Sequence, residues 1–214
     1  MKRGFLLLLI KTKITMKNLF TTAAASLIMM SAATANVKWK VDASHSKLGF
    51  SVTHLMVSET EGKFKIYEGS VDSKTDMDFT DAKIDFTADV SSINTEDEKR
   101  DGHLKSADFF DAEKFPKITF KSTSMKPNAK LGKTAYTLTG DLTMHGVTKK
   151  VNFTAIEASK VVKDPYGNFK NGFKVIGTLN RKDFGLGWNA ALESGGVAIS
   201  EEVKVDRNIE LNKE

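Results

Sequence analysis

Apolar and polar residues alternate one for one over run after run of this 214-residue chain. A period of two is the repeat of a β-strand with one dry and one wet face. Leu48, Phe50, Val52 and His54 fall on one parity, with Lys47, Gly49, Ser51 and Thr53 between them. Ile84, Phe86, Ala88 and Val90 repeat the pattern, as do Tyr136, Leu138, Gly140, Leu142 and Met144. Shorter runs pair Phe64 with Ile66, Ile118 with Phe120, and Val151 with Phe153 and Ala155. The last runs join Phe173, Val175 and Leu179, then Val203, Val205, Ile209 and Leu211. About eight such strands with short connections predict an all-β antiparallel domain. Either a closed barrel or a sandwich would bury these faces, and the alternation alone fits both.

Turn chemistry agrees with the breaks. His145-Gly146 and Asp164-Pro165-Tyr166-Gly167-Asn168 fall between alternating runs, and Pro116, Pro127 and Pro165 lie outside them, as a strand ladder requires. One segment loses the rhythm. Thr95-Glu96-Asp97-Glu98 has the spacing of a helix capping box, so a short helix is expected from there to about Ala107.

The chain carries 32 Lys+Arg against 27 Asp+Glu, a formal charge of +5. Five of the basic residues, Lys2, Arg3, Lys11, Lys13 and Lys17, stand before Ala35, where no acidic residue occurs. From residue 36 on, 27 basic residues therefore face 27 acidic ones, and nucleic-acid binding loses its electrostatic basis. The first 35 residues have the order of an export signal: a basic start, an apolar run and Ala33-Thr34-Ala35 before Asn36. Met16 is the expected true start and Ala35 the expected cleavage position, which gives a periplasmic or secreted domain. The chain has no cysteine, so thiolate metal sites, thiol nucleophiles, disulfides and lipidated cysteines are excluded.

Other chemistry is sparse. No Gly-x-Ser-x-Gly elbow and no phosphate-binding glycine loop occurs. The four histidines, His45, His54, His103 and His145, form no local metal-binding pair. Asp42 stands three residues before His45 and could orient its ring, and His145 reads as a turn or rim residue. Arg207 shares the parity of its apolar neighbours, so it is either an inward polar group facing a ligand head or the mark of a bulge. Phenylalanines on six apolar faces would line a shared interior or fill it, and the pattern leaves those two open.

Several stretches resemble the YceI-like proteins. They are Trp39-x-Val41-Asp42-x-x-His45-Ser46-x-Leu48-x-Phe50-x-Val52-x-His54-Leu55, Arg100-Asp101-x-His103-Leu104-Lys105-Ser106-x-Asp108-Phe109-Phe110-Asp111, Leu138-Thr139-Gly140-Asp141-Leu142-Thr143-x-His145-Gly146-Val147-Thr148, and Asn180-Arg181-x-Asp183-Phe184-Gly185. The resemblance implies an extended eight-stranded antiparallel lipocalin-like barrel with a short helix between strands. It also implies an exported bacterial protein that binds polyisoprenoid chains, such as a quinone tail or a polyprenyl lipid, without a defined catalytic set. The expected function is thus non-enzymatic storage or transport of an isoprenoid lipid. No metal and no required cofactor are expected beyond a bound polyisoprenoid or isoprenoid quinone. The expected cavity wall is Leu48, Phe50, Val52, Phe64, Ile66, Ile84, Phe86, Ile118, Phe120, Leu138, Leu142, Val151, Phe153, Phe173, Val175 and Leu179. His45, His54, His103, His145 and Arg207 are the expected rim or head-group residues. The second reading is an enzyme acting on an isoprenoid or quinone with histidines at the cavity mouth. Transient membrane contact and a homodimer are compatible with either.

Overall fold

The computed structural model describes residues 36–214 apart from Ser159 and Ser194. The expected export signal, with its start at Met16 and cleavage after Ala35, lies outside the described residues. Among the described residues twelve strands form one antiparallel sheet: β1 (Val37–Val41), β2 (Leu48–His54), β3 (Ser58–Phe64), β4 (Tyr67–Ser73), β5 (Lys83–Asp89), β6 (Ile93–Asn94), β7 (Lys117–Pro127), β8 (Ala135–Met144), β9 (Val147–Glu157), β10 (Val162–Lys163), β11 (Phe169–Asn180) and β12 (Ile199–Lys213).

Eleven of these, all but the two-residue β10 beside β11, make eight staves of a closed barrel. β1 and β2 are halves of one strand interrupted at residues 42–47, since β12 pairs with β2 through Val203 and Lys204 and with β1 through Leu211 to Lys213. β3 and β4 are likewise interrupted only at Lys65 and Ile66, and β5 and β6 by a 3-10 turn, Val90–Ser92. The β11–β12 ladder, running from Lys170–Asn212 to Asn180–Glu202, closes the ring. β12 displays the logic of the whole wall: from Glu202 to Asn208 its residues alternate between exposed and half-buried. Closure removes the free edges that an open sheet of this length would present to other chains.

The lower end is packed solid. Trp39 is fully buried, its indole Nε1 donates to Ser73 Oγ at 2.9 Å, and its ring lies 5.8 Å from that of Phe79. Phe79, also fully buried, meets Phe173 edge-on at 4.8 Å. At the upper end the cover is a helix, α1 (Glu98–Lys105), followed by Phe109 and Phe110.

The helix start differs from the capping-box expectation. Asp97, not Thr95, is the cap, its carboxylate accepting from Arg100 N at 2.9 Å. Thr95 instead donates its hydroxyl and its N–H to the buried Asp101 carboxylate, at 2.6 and 2.8 Å. The helix begins two residues later than the capping-box spacing implies because Thr95 spends its side chain on tying the end of β6 to the helix.

The break between β1 and β2 is held by ions and hydrogen bonds. Lys170 Nζ donates to Asp42 Oδ2 at 3.1 Å, Glu210 Oε1 at 2.7 Å and Asn212 Oδ1 at 2.7 Å. Hydrogen bonds from Ser44, then from His45, Lys170 and Asn212, hold the Asp42 carboxyl far below its ordinary value of 3.8. A carboxyl lowered on folding stabilises the fold above its unfolded value, and that contribution drains away as pH falls below it. The urea midpoint of the wild type is therefore expected to fall steeply below about pH 4. Asp42→Asn is expected to be about 1–3 kcal/mol less stable at pH 7, with the gap closing under acid. A gap that stays constant with pH would remove Asp42 from the clasp.

Candidate functional site: an apolar cavity inside the barrel

The interior of the barrel is not filled. A cavity of about 630 Å³ runs through it, lined almost wholly by carbon, within the roughly 300–1,000 Å³ usual for small-molecule sites. Mid-barrel side chains that point inward, among them Phe50, Phe86, Phe153, Val175, Val203 and Val205, keep accessible surface although they face away from solvent outside.

Glycine explains how so many phenylalanines leave a hollow. Phe50 pairs in register with Gly62, and Phe86 with Gly69. Phe120 lies over Gly140, and Phe153 over Gly177. At each of these glycines a Cβ would collide with the ring of its phenylalanine. A ring lying flat on a neighbouring strand lines the wall; a ring without that seat would project across the interior. The sequence signal was present as glycines inside alternating runs, where they otherwise weaken a strand.

The expected wall residues mostly reach this cavity. Leu48, Phe50 and Val52 come from β2, Phe64 from β3, Ile84 and Phe86 from β5, and Ile118 and Phe120 from β7. Leu138 and Leu142 come from β8, Phe153 from β9, and Phe173, Val175 and Leu179 from β11. Two do not line it. Ile66 is 61% exposed, because it sits in the two-residue bend between β3 and β4 and loses the parity of Phe64. Val151 has the inward parity but is buried in the core and does not reach the cavity. Beyond the expected wall, the same parity rule adds Val203, Val205, Ile209 and Leu211 of β12.

The rim separates into two groups. His54 and His103 line the cavity, whereas His45 and His145 do not. His103 stands edge-on between Phe109 and Trp188, with ring centroids 5.1 and 4.9 Å away, and its Nε2 is 3.5 Å from Asp108 Oδ2. His45 belongs to the outside of the wall, with Nδ1 3.0 Å from Asp42 Oδ2. Asp42, His45 and Glu210 converge closely enough to suggest a metal site, but Lys170 places its ammonium between the two carboxylates, so a cation is already supplied. His145 occupies the β8–β9 turn at φ 51°, followed by Gly146 at φ 74°. Its Nδ1 lies 3.3 Å from Phe184 O, away from the cavity.

Arg207 keeps the inward parity: the register of β12 with β11 is unbroken from Val203 to Leu211, and the shift of β12 against β2 lies earlier, between Ile199 and Val203. Its guanidinium crosses to β2 below the end of the β2–β12 ladder. There Nη1 donates to Asp206 O at 2.8 Å and Nη2 to Phe50 O at 3.4 Å, so a side chain bridges strands that the backbone no longer joins. Gly49 makes room, since a Cβ there would lie 2.5 Å from Arg207 Nε. Residues outside the alternating strands complete the upper lining: Leu104 from α1, and Phe109, Phe110, Leu186 and Trp188 from the loops.

A family model described as the YceI-like domain matches residues 39–211, from the buried Trp39 to Leu211 of the closing strand. The chain belongs to the YceI-like family. A UPF0312 protein of Staphylococcus aureus strain N315 is 40% identical over 172 residues, covering 80% of this chain and 95% of that protein. The crystal structure of the Campylobacter jejuni YceI protein superposes with a TM-score of 0.63 at 30% identity, over 81% of this chain and 96% of that one. At 16% identity, a polyisoprenoid binding domain from Saccharophagus degradans shares the fold, with a TM-score of 0.57 over 82% of this chain and 98% of that one. YceI-like architecture thus accounts for both the eight staves and the helix beside them.

Proposed function

We propose that this protein is an exported, non-enzymatic carrier that holds a long isoprenoid chain inside its barrel. The observation that carries this reading is the carbon-lined cavity kept open by four phenylalanine–glycine seats. A tail entering from the α1 end would run down toward the Trp39–Phe79 floor. Membership of the YceI-like family supports the reading, as does the likeness to the Saccharophagus degradans domain described as polyisoprenoid binding. Burying ten methylene-sized groups is worth about 8 kcal/mol before ordering costs, which reaches roughly micromolar affinity with no polar contact at all. Such a site needs length and apolar area more than directed hydrogen bonds, and the wall of this barrel offers those. His54 and His103, at the entry end of the cavity, would meet a head group, whereas Arg207, in register with Val175, is spent on bridging β2 and β12.

Native mass spectrometry of the protein expressed in an exporting bacterium tests both parts. The expected result is a tightly held prenyl lipid or quinone on a chain whose N-terminus is Asn36. Recovery of a protein that takes up no added ubiquinone would overturn the carrier reading, and an N-terminus retaining the apolar run would overturn export.

A further inference from the structure

The β2–β3 hairpin ends in an unusual way. Val57 N–H donates to His54 O at 3.0 Å, closing a turn whose two central residues, Leu55 and Met56, both have positive φ, 50° and 59°. Asn-Gly is the usual occupant of such a turn, because bulky side chains are strained there. Here the turn holds large apolar residues and displays them: Met56 is 72% exposed and Val57 85%. Strain spent on exposing carbon to water calls for a functional account.

The tip is continuous with the cavity mouth. Leu55 N–H donates to Ala198 O at 2.8 Å, and Met56 lies against Gly196, so the hairpin is tied to the loop that carries Val197 and Trp188. Trp188 lines the cavity and is also 37% exposed; Val197 is 38% exposed. His54, the residue immediately before the tip, lines the cavity as well. An apolar surface therefore leads from the outermost point of the barrel to the opening of its hollow.

We propose that Leu55, Met56 and Val57, with Val197 and Trp188, form a docking edge that inserts into the interfacial layer of a lipid bilayer and sets the cavity mouth against it. The proposal rests on the lipid-carrier reading, since a cargo of that chemistry resides in a membrane and does not cross water unaided. Charge decides the kind of surface. Basic side chains around the mouth stand beside acidic ones: Lys204 pairs with Glu59, Lys182 with Glu201, and Lys99 and Arg100 neighbour Asp97 and Glu98 on α1. A balanced rim gives no pull toward anionic lipid, so insertion is driven by apolar burial into a zwitterionic bilayer and is insensitive to salt.

The test compares the exported wild type, beginning at Asn36, with Met56→Asp and with the double substitution Leu55→Asn, Met56→Gly, each mixed with phosphatidylcholine vesicles and separated by flotation. Asn-Gly suits the turn better than the native pair, so the double variant is expected to melt at least as high as wild type. Wild type is expected to float with the vesicles equally at low and high salt, and Trp188 fluorescence to shift to the blue while the buried Trp39 does not respond. Both variants are expected to lose vesicle binding by roughly tenfold or more while taking up ubiquinone from detergent as wild type does. Variants that float like wild type would overturn the docking edge, as would binding that requires anionic lipid. A wild-type dimer converted to monomer by both variants would overturn it in favour of a second copy. Loss of ubiquinone uptake in wild type with vesicle binding intact would count against the carrier reading alone.

Discussion

Trp39→Ala is expected to cost about 3–5 kcal/mol of folding stability, the range for deleting a large aromatic from a packed core. The indole is fully buried at the base of β1, where β12 pairs on one side and β4 on the other. Removing it leaves a void against Phe79 and takes the indole N–H from Ser73 Oγ. No neighbour can collapse into that space cheaply, because β1 is only five residues long and is pinned on both edges. Trp39→Phe should retain part of the packing and lie between the two. Trp188→Ala, at the half-exposed mouth, should cost about 1 kcal/mol or less. Urea unfolding followed by circular dichroism measures all three. A loss below 1 kcal/mol for Trp39→Ala would mean that the floor of the barrel is not a packed plug.

Much of this architecture could be read from alternation, because a barrel wall obeys one rule along its whole length. β12 is the clearest case, with Val203, Val205, Arg207 and Ile209 inward and their neighbours outward. Alternation failed where a strand bends. Ile66 continues the numerical parity of Phe64, yet the bend at Lys65 and Ile66 turns it into solvent. The interruption at residues 42–47 was equally hidden, since what defines it is a set of contacts far apart in sequence: Lys170, Glu210 and Asn212 gathered around Asp42.

Parity placed side chains inside the barrel but could not say whether they fill it. That question turns on pairs of residues in different strands, such as Phe153 with Gly177, whose meeting depends on register. The loop residues around the mouth, Phe109, Phe110 and Trp188, carry no period at all; their position follows from where α1 and the segment after β11 are tied down. Arg181 illustrates the tie. Its Nε donates to Ser200 O at 2.9 Å and its Nη1 to Trp188 O at 2.8 Å, fixing the loop that bears Trp188. The histidines separated for a related reason: His54 and His103 belong to the upper opening, whereas His45 and His145 are consumed by local turns.

Filling the hollow should abolish binding without harming the fold. Val205 and Val175 face inward from adjacent strands, Val205 in register with Gly177 and Val175 with Arg207, and both line the cavity. Val205→Trp and the double substitution with Val175→Trp would place indole rings where the middle of a bound chain must lie. Excluding three to five methylene-sized groups forfeits about 2–4 kcal/mol, so the single variant is expected to weaken isoprenoid binding roughly 50-fold or more. The stability outcome discriminates between a cavity and a packed core. Enlarging a side chain in a filled interior typically costs about 1–3 kcal/mol through forced rotamers and backbone shifts. A tryptophan entering empty space gains contacts instead, so Val205→Trp should be as stable as wild type or more so in the absence of lipid. Quenching of intrinsic fluorescence by ubiquinone, together with urea unfolding, reads both quantities on one preparation. Wild-type affinity in the double variant would place the ligand outside the barrel, and a loss of 2 kcal/mol or more in stability would mean that the interior around Val205 has no room.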